Sequence, residues 1–244
     1  STGVALTKEP IAKIISPNFV TTGSSISAFR PLDGYLFYTT DDGYLNNSDL
    51  NSISAYSANA RIAVQQSPDP AVAVEVQKET VIAFGFASDQ KFQNAGYSTG
   101  SPLQVIKTAV THVGALDQRS ISGIEDDLYY VSTPSEGDIG VYRMRGLVSS
   151  RISTAAVDRI LGTVASSGAI YASSFRLGGY SYASFVLSLA SDGPSSMLLL
   201  ESGDNILLES GDHLLLEDTP AQSASFVRML VYNAALNIWS EWDC

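Results

Sequence analysis

Short apolar runs alternate with polar turns along most of this 244-residue chain. The pattern is clearest in residues 118–161, where an acidic turn at residues 125–127 separates the first two strand-like runs. The four strand-like runs of this stretch are residues 120–124, 128–133, 141–145 and 147–153. Strands of this length joined by turn residues predict an antiparallel meander. So tight a meander indicates one blade of a β-propeller or one wall of a β-barrel.

The same pattern continues on both sides of this stretch. In residues 72–77, Val alternates with Ala, Glu and Gln, which is the period of a half-buried strand. Residues 46–59 are rich in Ser and Asn and predict an exposed loop. Other strand-like runs occur at residues 11–15, 26–29, 35–38, 60–66, 80–86, 91–95, 103–113, 169–175, 182–189, 226–232 and 238–242. We therefore predict an all-β fold, a β-propeller of four to six antiparallel meander blades.

One short helix is predicted, at residues 154–161. Ser153 or Thr154 can cap its first turn, the following Ala, Val, Ile and Leu residues supply an apolar side, and Gly162 is expected to end it.

An octapeptide repeat occupies residues 198–217, where LLLESGDN is followed by ILLESGDH and LLLED. It predicts a small three-stranded β-meander whose uniformly apolar strands need cover from the main domain or from another subunit. Leu199, Leu207 and Leu215 are therefore candidate inter-subunit contacts. The expected organisation is propeller blades in residues 1–196, the inserted meander in 197–218 and a last propeller hairpin in 219–244.

Charge and cysteine content exclude several classes of protein. With 25 acidic and 14 basic residues, the net charge of −11 argues against a surface that neutralises nucleic-acid phosphates, although an acidic wall would keep DNA from sticking. The single cysteine, Cys244, allows neither an internal disulfide nor a cysteine zinc site. We expect no membrane span and no signal peptide. The abrupt termini suggest a piece of a longer protein, or a chain that needs neighbours to complete its edges.

The sequence predicts no catalytic, cofactor-binding or metal-binding residues. His112 and His213 lack a nucleophile in a recognisable context, and the Gly-Asp turns of the repeat lack the ligand density of a calcium site. Four arginines are close in sequence, but we expect alternation along the strands to send them to different faces. They are Arg143, Arg145, Arg151 and Arg159.

With these residues in place, the chain resembles the β-propeller core of the tail hub or nozzle proteins of short-tailed bacteriophages, which stabilise packaged DNA. The resemblance runs from about residue 11 to residue 243 and depends on the order of its landmarks. These are DGYLFY at 33–38, SDL at 48–50, SPDP at 67–70, ETVIAFG at 79–85, FQNAG at 92–96, Gly114, RSI at 119–121, DLYY at 127–130, VYR at 141–143, RISTAAVD at 151–158, VYN at 231–233 and WSEW at 239–242.

The resemblance implies a structural virion protein of the phage tail that acts without catalytic residues or cofactors. Six copies would form a ring that continues the DNA channel below the portal and retains the genome, and DNA would pass through without specific binding. Portal or adaptor proteins and tail fibre or needle proteins are the implied partners. Within the RISTAAVD motif, Arg151 and Asp158 are expected to make structural or inter-subunit contacts. The octapeptide repeat is an insertion relative to this family.

Two alternatives remain open at this point. A carbohydrate-binding propeller of a phage fibre or surface protein would use some of the 12 Tyr and 2 Trp residues as stacking platforms. We expect Tyr130, Tyr182 and Trp239 to be core or cross-strand residues instead, and Trp242 is undecided. A propeller glycosidase would need paired acids near an arginine cluster, and Glu125, Asp126 and Asp127 are the nearest candidates.

Overall fold

The computed structural model describes residues 26–40, 42–64, 69–109, 111–133, 138–164, 168–189 and 227–243. Within these residues the chain forms four antiparallel sheets of four strands each. The first sheet contains β1 (Ile26–Leu32), β2 (Tyr35–Thr40), β3 (Tyr44–Asn47) and β4 (Arg61–Ala63). The second contains β5 (Ala73–Gln77), β6 (Thr80–Phe84), β7 (Asp89–Asn94) and β8 (Leu103–Val105).

The third and fourth sheets follow in the same way. The third contains β9 (Ile121–Ile124), β10 (Asp127–Ser132), β11 (Gly140–Arg145) and β12 (Val148–Arg151). The fourth contains β13 (Gly168–Leu177), β14 (Tyr180–Leu189), β15 (Val227–Asn233) and β16 (Ile238–Asp243). A single-turn 3-10 helix, Gln118–Ser120, precedes β9, and the helix α1 (Ala155–Val164) joins the third sheet to the fourth.

Each sheet is a meander, because every strand pairs with the strands next to it in sequence. Short turns make this possible: Asp33 and Gly34 both adopt positive φ, at 51° and 80°, between β1 and β2. In two neighbouring pairs of sheets the first strands lie side by side, β1 against β5 and β9 against β13. Four successive meander blades with adjoining first strands confirm the predicted β-propeller.

Three apolar clusters hold the successive blades together. The first cluster joins blades one and two around Phe37, Val81 and Phe92, and the second joins blades two and three around Phe84 and Tyr130. The third joins blades three and four and includes the buried side of α1. None of the apolar clusters formed by the described residues joins blade four to blade one. The three clusters therefore connect blade one to blade four through blades two and three.

A loop that we call the Tyr56 cap covers part of the outer face of the first sheet. The loop of residues 48–60 brings Tyr56 over the outer face of the first sheet, where its ring meets the Tyr38 ring edge-on at 5.8 Å. Tyr56 is only 5% exposed, and its hydroxyl donates to the Ile53 carbonyl. The predicted exposed loop is therefore partly packed against the sheet, because its one aromatic residue covers apolar surface.

The strand boundaries correct two predictions. Asp127 belongs to β10 and not to the preceding turn, because its backbone pairs with Ile124 and Arg145 across the sheet. The predicted strand at residues 103–113 is a strand only at Leu103–Val105. A turn at residues 107–108 interrupts it, and Ala109 N–H donates to the Ile106 carbonyl there.

The helix also differs from its prediction, since α1 continues through Gly162 to Val164. Thr154 caps it as expected, accepting from the Val157 amide at 3.5 Å. A glycine inside a helix costs about 1 kcal/mol relative to alanine. Val164 lies beyond it and is 2% exposed in the core between blades three and four. Burial of this side chain, about 1.5–3 kcal/mol for a full-sized apolar residue, exceeds the glycine penalty.

A fully buried ion pair lies on the face of the second blade that meets the third. Lys91 Nζ is 2.7 Å from Asp89 Oδ1, both side chains are 0% exposed, and Lys91 also donates to the Ala109 carbonyl at 3.2 Å. Burial raises the pKa of Asp89, an effect that the charge and hydrogen bond of Lys91 oppose. Each of the two charges therefore depends on the other to remain in the interior.

We predict that Lys91→Met lowers the free energy of unfolding by about 3–5 kcal/mol, because it leaves an unpaired buried carboxylate. Urea unfolding at neutral pH measures the change. Replacing both partners, with Asp89→Leu added, should restore much of the loss. Lys78→Met is the matched control, since the Lys78–Asp126 pair is exposed and should be worth no more than about 1 kcal/mol. Equal losses for the two lysines would contradict the prediction.

Buried tyrosines predict sensitivity to alkaline pH. Burial raises the pKa of Tyr130 well above its ordinary value of 10.0, and its hydroxyl donates to Ser149 Oγ at 2.8 Å. The folded chain keeps this proton above pH 10 while the unfolded chain releases it, so stability is intact below pH 10 and falls as pH rises further. In Tyr130→Phe the fall should be shallower by up to about 1.4 kcal/mol per pH unit.

The measurement is urea unfolding of the wild type and the variant at pH 8, 10 and 11. Tyr97→Phe serves as the control, because Tyr97 is 50% exposed. A Tyr130→Phe profile parallel to the wild type across these pH values would mean that this phenol does not contribute.

Candidate functional site

The acidic turn of the third blade connects three blades through ion pairs. Glu125 Oε1 is 2.5 Å from Arg176 Nη2 in the fourth blade, and Asp126 Oδ2 is 3.1 Å from Lys78 Nζ in the second. Within the third blade, Asp127 pairs with Arg145 at 2.7 Å. Both outer pairs are largely exposed, so each contributes at most about 1 kcal/mol. The acidic turn therefore joins its neighbours by several weak contacts.

A shallow cleft of about 260 Å³ lies beside this turn, lined by Lys78, residues 125–127, Arg145 and Gly146. Each of its three carboxylates already has a cation within ion-pair distance. Glu125 and Asp126 occupy the exposed turn itself. A glycosidase needs a proton-donating acid opposite a second carboxylate. The three carboxylates here are instead arranged as separate ion-pair partners, which does not favour the glycosidase alternative.

The arginine prediction is wrong for two of its four members. Arg143 and Arg145 are two residues apart on β11, so they face the same side of the sheet. Burial raises the pKa of Tyr232 in the fourth blade, and the positive charges of both arginines oppose that increase. Along a strand, only residues an odd number of positions apart face opposite sides, and these two arginines are two positions apart.

Arg151 and Asp158, the two candidate contacts of the RISTAAVD motif, pair with each other. Arg151 Nη2 is 2.9 Å from Asp158 Oδ2, and the same nitrogen donates to the Ile139 carbonyl at 3.1 Å. The pair thus ties the end of β12 to the first turn of α1, where a carboxylate also benefits from the helix dipole. A role for these residues between subunits stays a prediction.

The side chains of Arg151 and Ser153 pack closely over Gly140 on the neighbouring strand. A Cβ on Gly140 would lie 2.8 Å from Arg151 Nε and 2.9 Å from Ser153 Oγ. The same segment meets the fourth blade, because Trp239 Nε1 donates to the Ile152 carbonyl at 2.9 Å. Residues 140 and 151–158 therefore form the junction between the third blade, α1 and the fourth blade.

The aromatic predictions are confirmed where the structure tests them. Tyr130 is fully buried, and Tyr182 stacks on its cross-strand partner Phe175 at 5.2 Å. Trp239 packs on its own cross-strand partner, Tyr232, at 5.0 Å. Trp242, which the sequence left undecided, is 38% exposed.

The remaining candidates fall into two groups. Leu199, Leu207, Leu215 and His213 lie outside the described residues, together with the whole octapeptide repeat. His112 is described and exposed. Among the residues that the structure describes, no group of three or more His, Cys, Asp or Glu side chains could hold a metal ion. No helix in the same part of the chain is both long and apolar enough to cross a membrane.

Sequence reasoning missed a polar hub around Glu75, on the first strand of the second blade. Glu75 accepts from Arg30 Nε at 2.7 Å in the first blade and from Gln118 Nε2 at 2.7 Å in the segment before the third. Gln118 Oε1 in turn accepts from the Val74 amide at 2.9 Å. Glu75 is the one charged residue in a strand of alternating valines, and that exception was the available signal.

We predict that Asp158→Asn lowers the free energy of unfolding by about 1–2 kcal/mol, because it removes a partly buried ion pair and a favourable helix-dipole charge. Denaturant unfolding measures this, and a double-mutant cycle with Arg151→Met should give a coupling energy of similar size. Arg159→Ala, on an exposed position of the same helix, should change stability by no more than about 0.5 kcal/mol. Additive effects of the two substitutions would rule out the coupling.

Comparison with known proteins now identifies the family. No curated protein matches this chain. Among solved structures, the crystal structure of the N-terminal domain of Nup159 is similar with a TM-score of 0.36 and 8% identity, over 90% of this chain. The chain spans 60% of that structure, and a similarity this weak carries no functional weight. A phage stabilisation family model matches residues 17–175, more than half of the chain. The chain belongs to the family described as Bacteriophage P22 Gp10, beta-propeller.

Proposed function

We propose that this chain is a tail hub or nozzle subunit, six copies of which form a ring that continues the DNA channel below the portal and retains the packaged genome. The family match over residues 17–175 carries the proposal. Membership of that family gives the chain a structural role in a bacteriophage and associates it with the virion. Tail location, ring formation and genome retention are the finer steps that we add.

The electrostatics favour a conduit over a DNA-binding surface. With a net charge of −11, a ring of such subunits repels a polyanion and lets it slide. Most described cations also have a local partner, as Arg30 has Glu75 and Arg145 has Asp127. Cations already paired in this way are poorly available to phosphates, which bind clustered free Lys and Arg.

The proposed partners follow from the position of such a ring. Portal or adaptor proteins would contact it on the side of the head, and fibre or needle proteins on the opposite side. The connections between blades suit this role, because apolar clusters hold each described blade on its neighbours.

Native mass spectrometry of the purified chain should show a six-subunit assembly, and electron microscopy should show a ring with an axial opening. Double-stranded DNA should not bind measurably at about 150 mM salt, because too few free cations face it to release counterions. Retention of labelled genome in particles that carry or lack the protein tests the function directly.

Three outcomes would count against the proposal. A chain that stays monomeric at tens of micromolar would contradict the ring. Particles that keep their DNA without the protein would contradict a role in genome retention. Tight salt-dependent DNA binding would be incompatible with a conduit through which DNA slides. A lysozyme-sized basic protein gives a positive control for the binding assay.

A further inference from the structure

Two long loops lie together at one end of the first and second blades. They are the β3–β4 connection, residues 48–60, and the β7–β8 connection, residues 95–102. The corresponding connections of the third and fourth blades, β11–β12 and β15–β16, have only two and four residues. Loops held by a regular scaffold are where binding residues concentrate. We call residues 48–60 and 95–102 the paired-loop surface.

The two loops form one surface because the β1–β2 turn of the first blade holds both. In this turn, the Gly34 carbonyl accepts from the Asn51 amide of the first loop at 2.7 Å. Asp33 Oδ2 accepts from Asn94 Nδ2, at the base of the second loop, at 2.9 Å. The loops also meet directly, since a Cβ on Gly100 in the second loop would lie 3.5 Å from a backbone carbonyl oxygen of the first.

Hydrogen bonds inside each loop keep this surface in one shape. In the first loop the Asp49 amide donates to the Ala55 carbonyl at 2.9 Å, and Ser57 Oγ donates to Asp49 Oδ1 at 2.8 Å. In the second loop the Ala95 amide donates to the Pro102 carbonyl at 2.8 Å. A surface that is ordered before binding avoids much of the conformational entropy that a flexible loop would lose.

The paired-loop surface presents apolar side chains among small polar residues. Ile53 is 74% exposed, Leu50 56% and Tyr97 50%. Ser, Asn and Gly make up much of the rest of both loops. Protein-binding loops use this mixture, because an aromatic ring supplies contact area while small polar groups adapt their hydrogen bonds. A standard protein interface takes about 20–30 residues from each side. The two loops, of 13 and 8 residues, together approach that number.

Charge favours a second copy of this chain as the occupant. The only charged residue of the paired-loop surface is Asp49, whose carboxylate accepts from Ser57 of its own loop. A basic partner would need several acidic groups here, and a nucleic acid would need basic ones. Copies with a net charge of −11 repel one another, but least where the surface has almost no charge. Release of water from the apolar side chains then favours their contact.

We propose that the paired-loop surface binds a different surface of a second copy, in the head-to-tail contact that a ring requires. A contact of the paired-loop surface with itself would close at two subunits. The inference rests on the proposed ring, and it names one of the two surfaces by which each subunit would join its neighbours.

The test places a carboxylate in each loop separately, with Ile53→Asp and Tyr97→Asp. Each variant should self-associate at least about 10-fold more weakly than the wild type, because the added charge loses water and meets a like-charged copy. Leu147→Asp is the matched control. Leu147 is 38% exposed in the two-residue β11–β12 turn, at the same end of the third blade but outside the paired-loop surface, and this variant should assemble like the wild type.

Sedimentation velocity over a concentration series measures these association constants, and circular dichroism with thermal unfolding checks that each variant folds. A mixing experiment tests the head-to-tail geometry. The second contact surface of a Tyr97→Asp subunit is unchanged, so this variant should still bind one side of a wild-type subunit. Native mass spectrometry of a one-to-one mixture with nitrogen-15-labelled wild type should show mixed complexes and fewer complete rings than the wild type forms alone.

The outcomes separate this inference from the proposed function. A ring that persists in both loop variants overturns the inference and leaves the proposed function intact. Equal weakening in Leu147→Asp has the same meaning, because any added carboxylate would then be enough. A mixture without complexes of wild type and variant overturns the head-to-tail contact. A wild type that never associates contradicts the ring, and with it both the inference and the proposed function.

Discussion

Each of the four sheets that the structure describes carries apolar side chains on both faces, and an apolar face must be covered. An isolated sheet of four short strands cannot satisfy that requirement, so each blade depends on its neighbours. The second blade illustrates this: Val74 and Val81 pack toward the first blade, while Ile82 and Phe84 pack toward the third. The stacked architecture follows from this two-sided burial. The Tyr56 cap covers part of the outer face of the first sheet in the same way, with a loop in place of a blade.

Polar groups are placed so that the stack has a fixed order. Glu75 holds Arg30 of one neighbour and Gln118 of the next segment, so the three elements meet in a single arrangement. The buried Lys91–Asp89 pair adds little net stability, because its desolvation penalty is large. Unlike apolar contacts, however, such pairs tolerate few alternative alignments. We therefore attribute adhesion to the apolar clusters, register between blades to the Glu75 contacts, and alignment within the second blade to the buried pair.

Much of the fold was available from the sequence, because turn residues and alternation are local signals. Residues 118–161 predicted their meander correctly for that reason. The end of α1 was not predictable, since Gly162 is a stop signal that the burial of Val164 outweighs. The candidate site was less accessible still. The Arg151–Asp158 pair was expected only as a contact of some kind. Which side of each strand meets a neighbouring blade is not specified by periodicity alone.

The Tyr56 cap has a consequence for the order of events during synthesis. The first blade leaves the ribosome with one face already protected by its own loop, and each later blade covers the face that the previous one left bare. Domains fold as the chain emerges, at about 5–20 residues per second. Among the described blades, uncovered apolar surface is thus buried step by step as each following blade is synthesised.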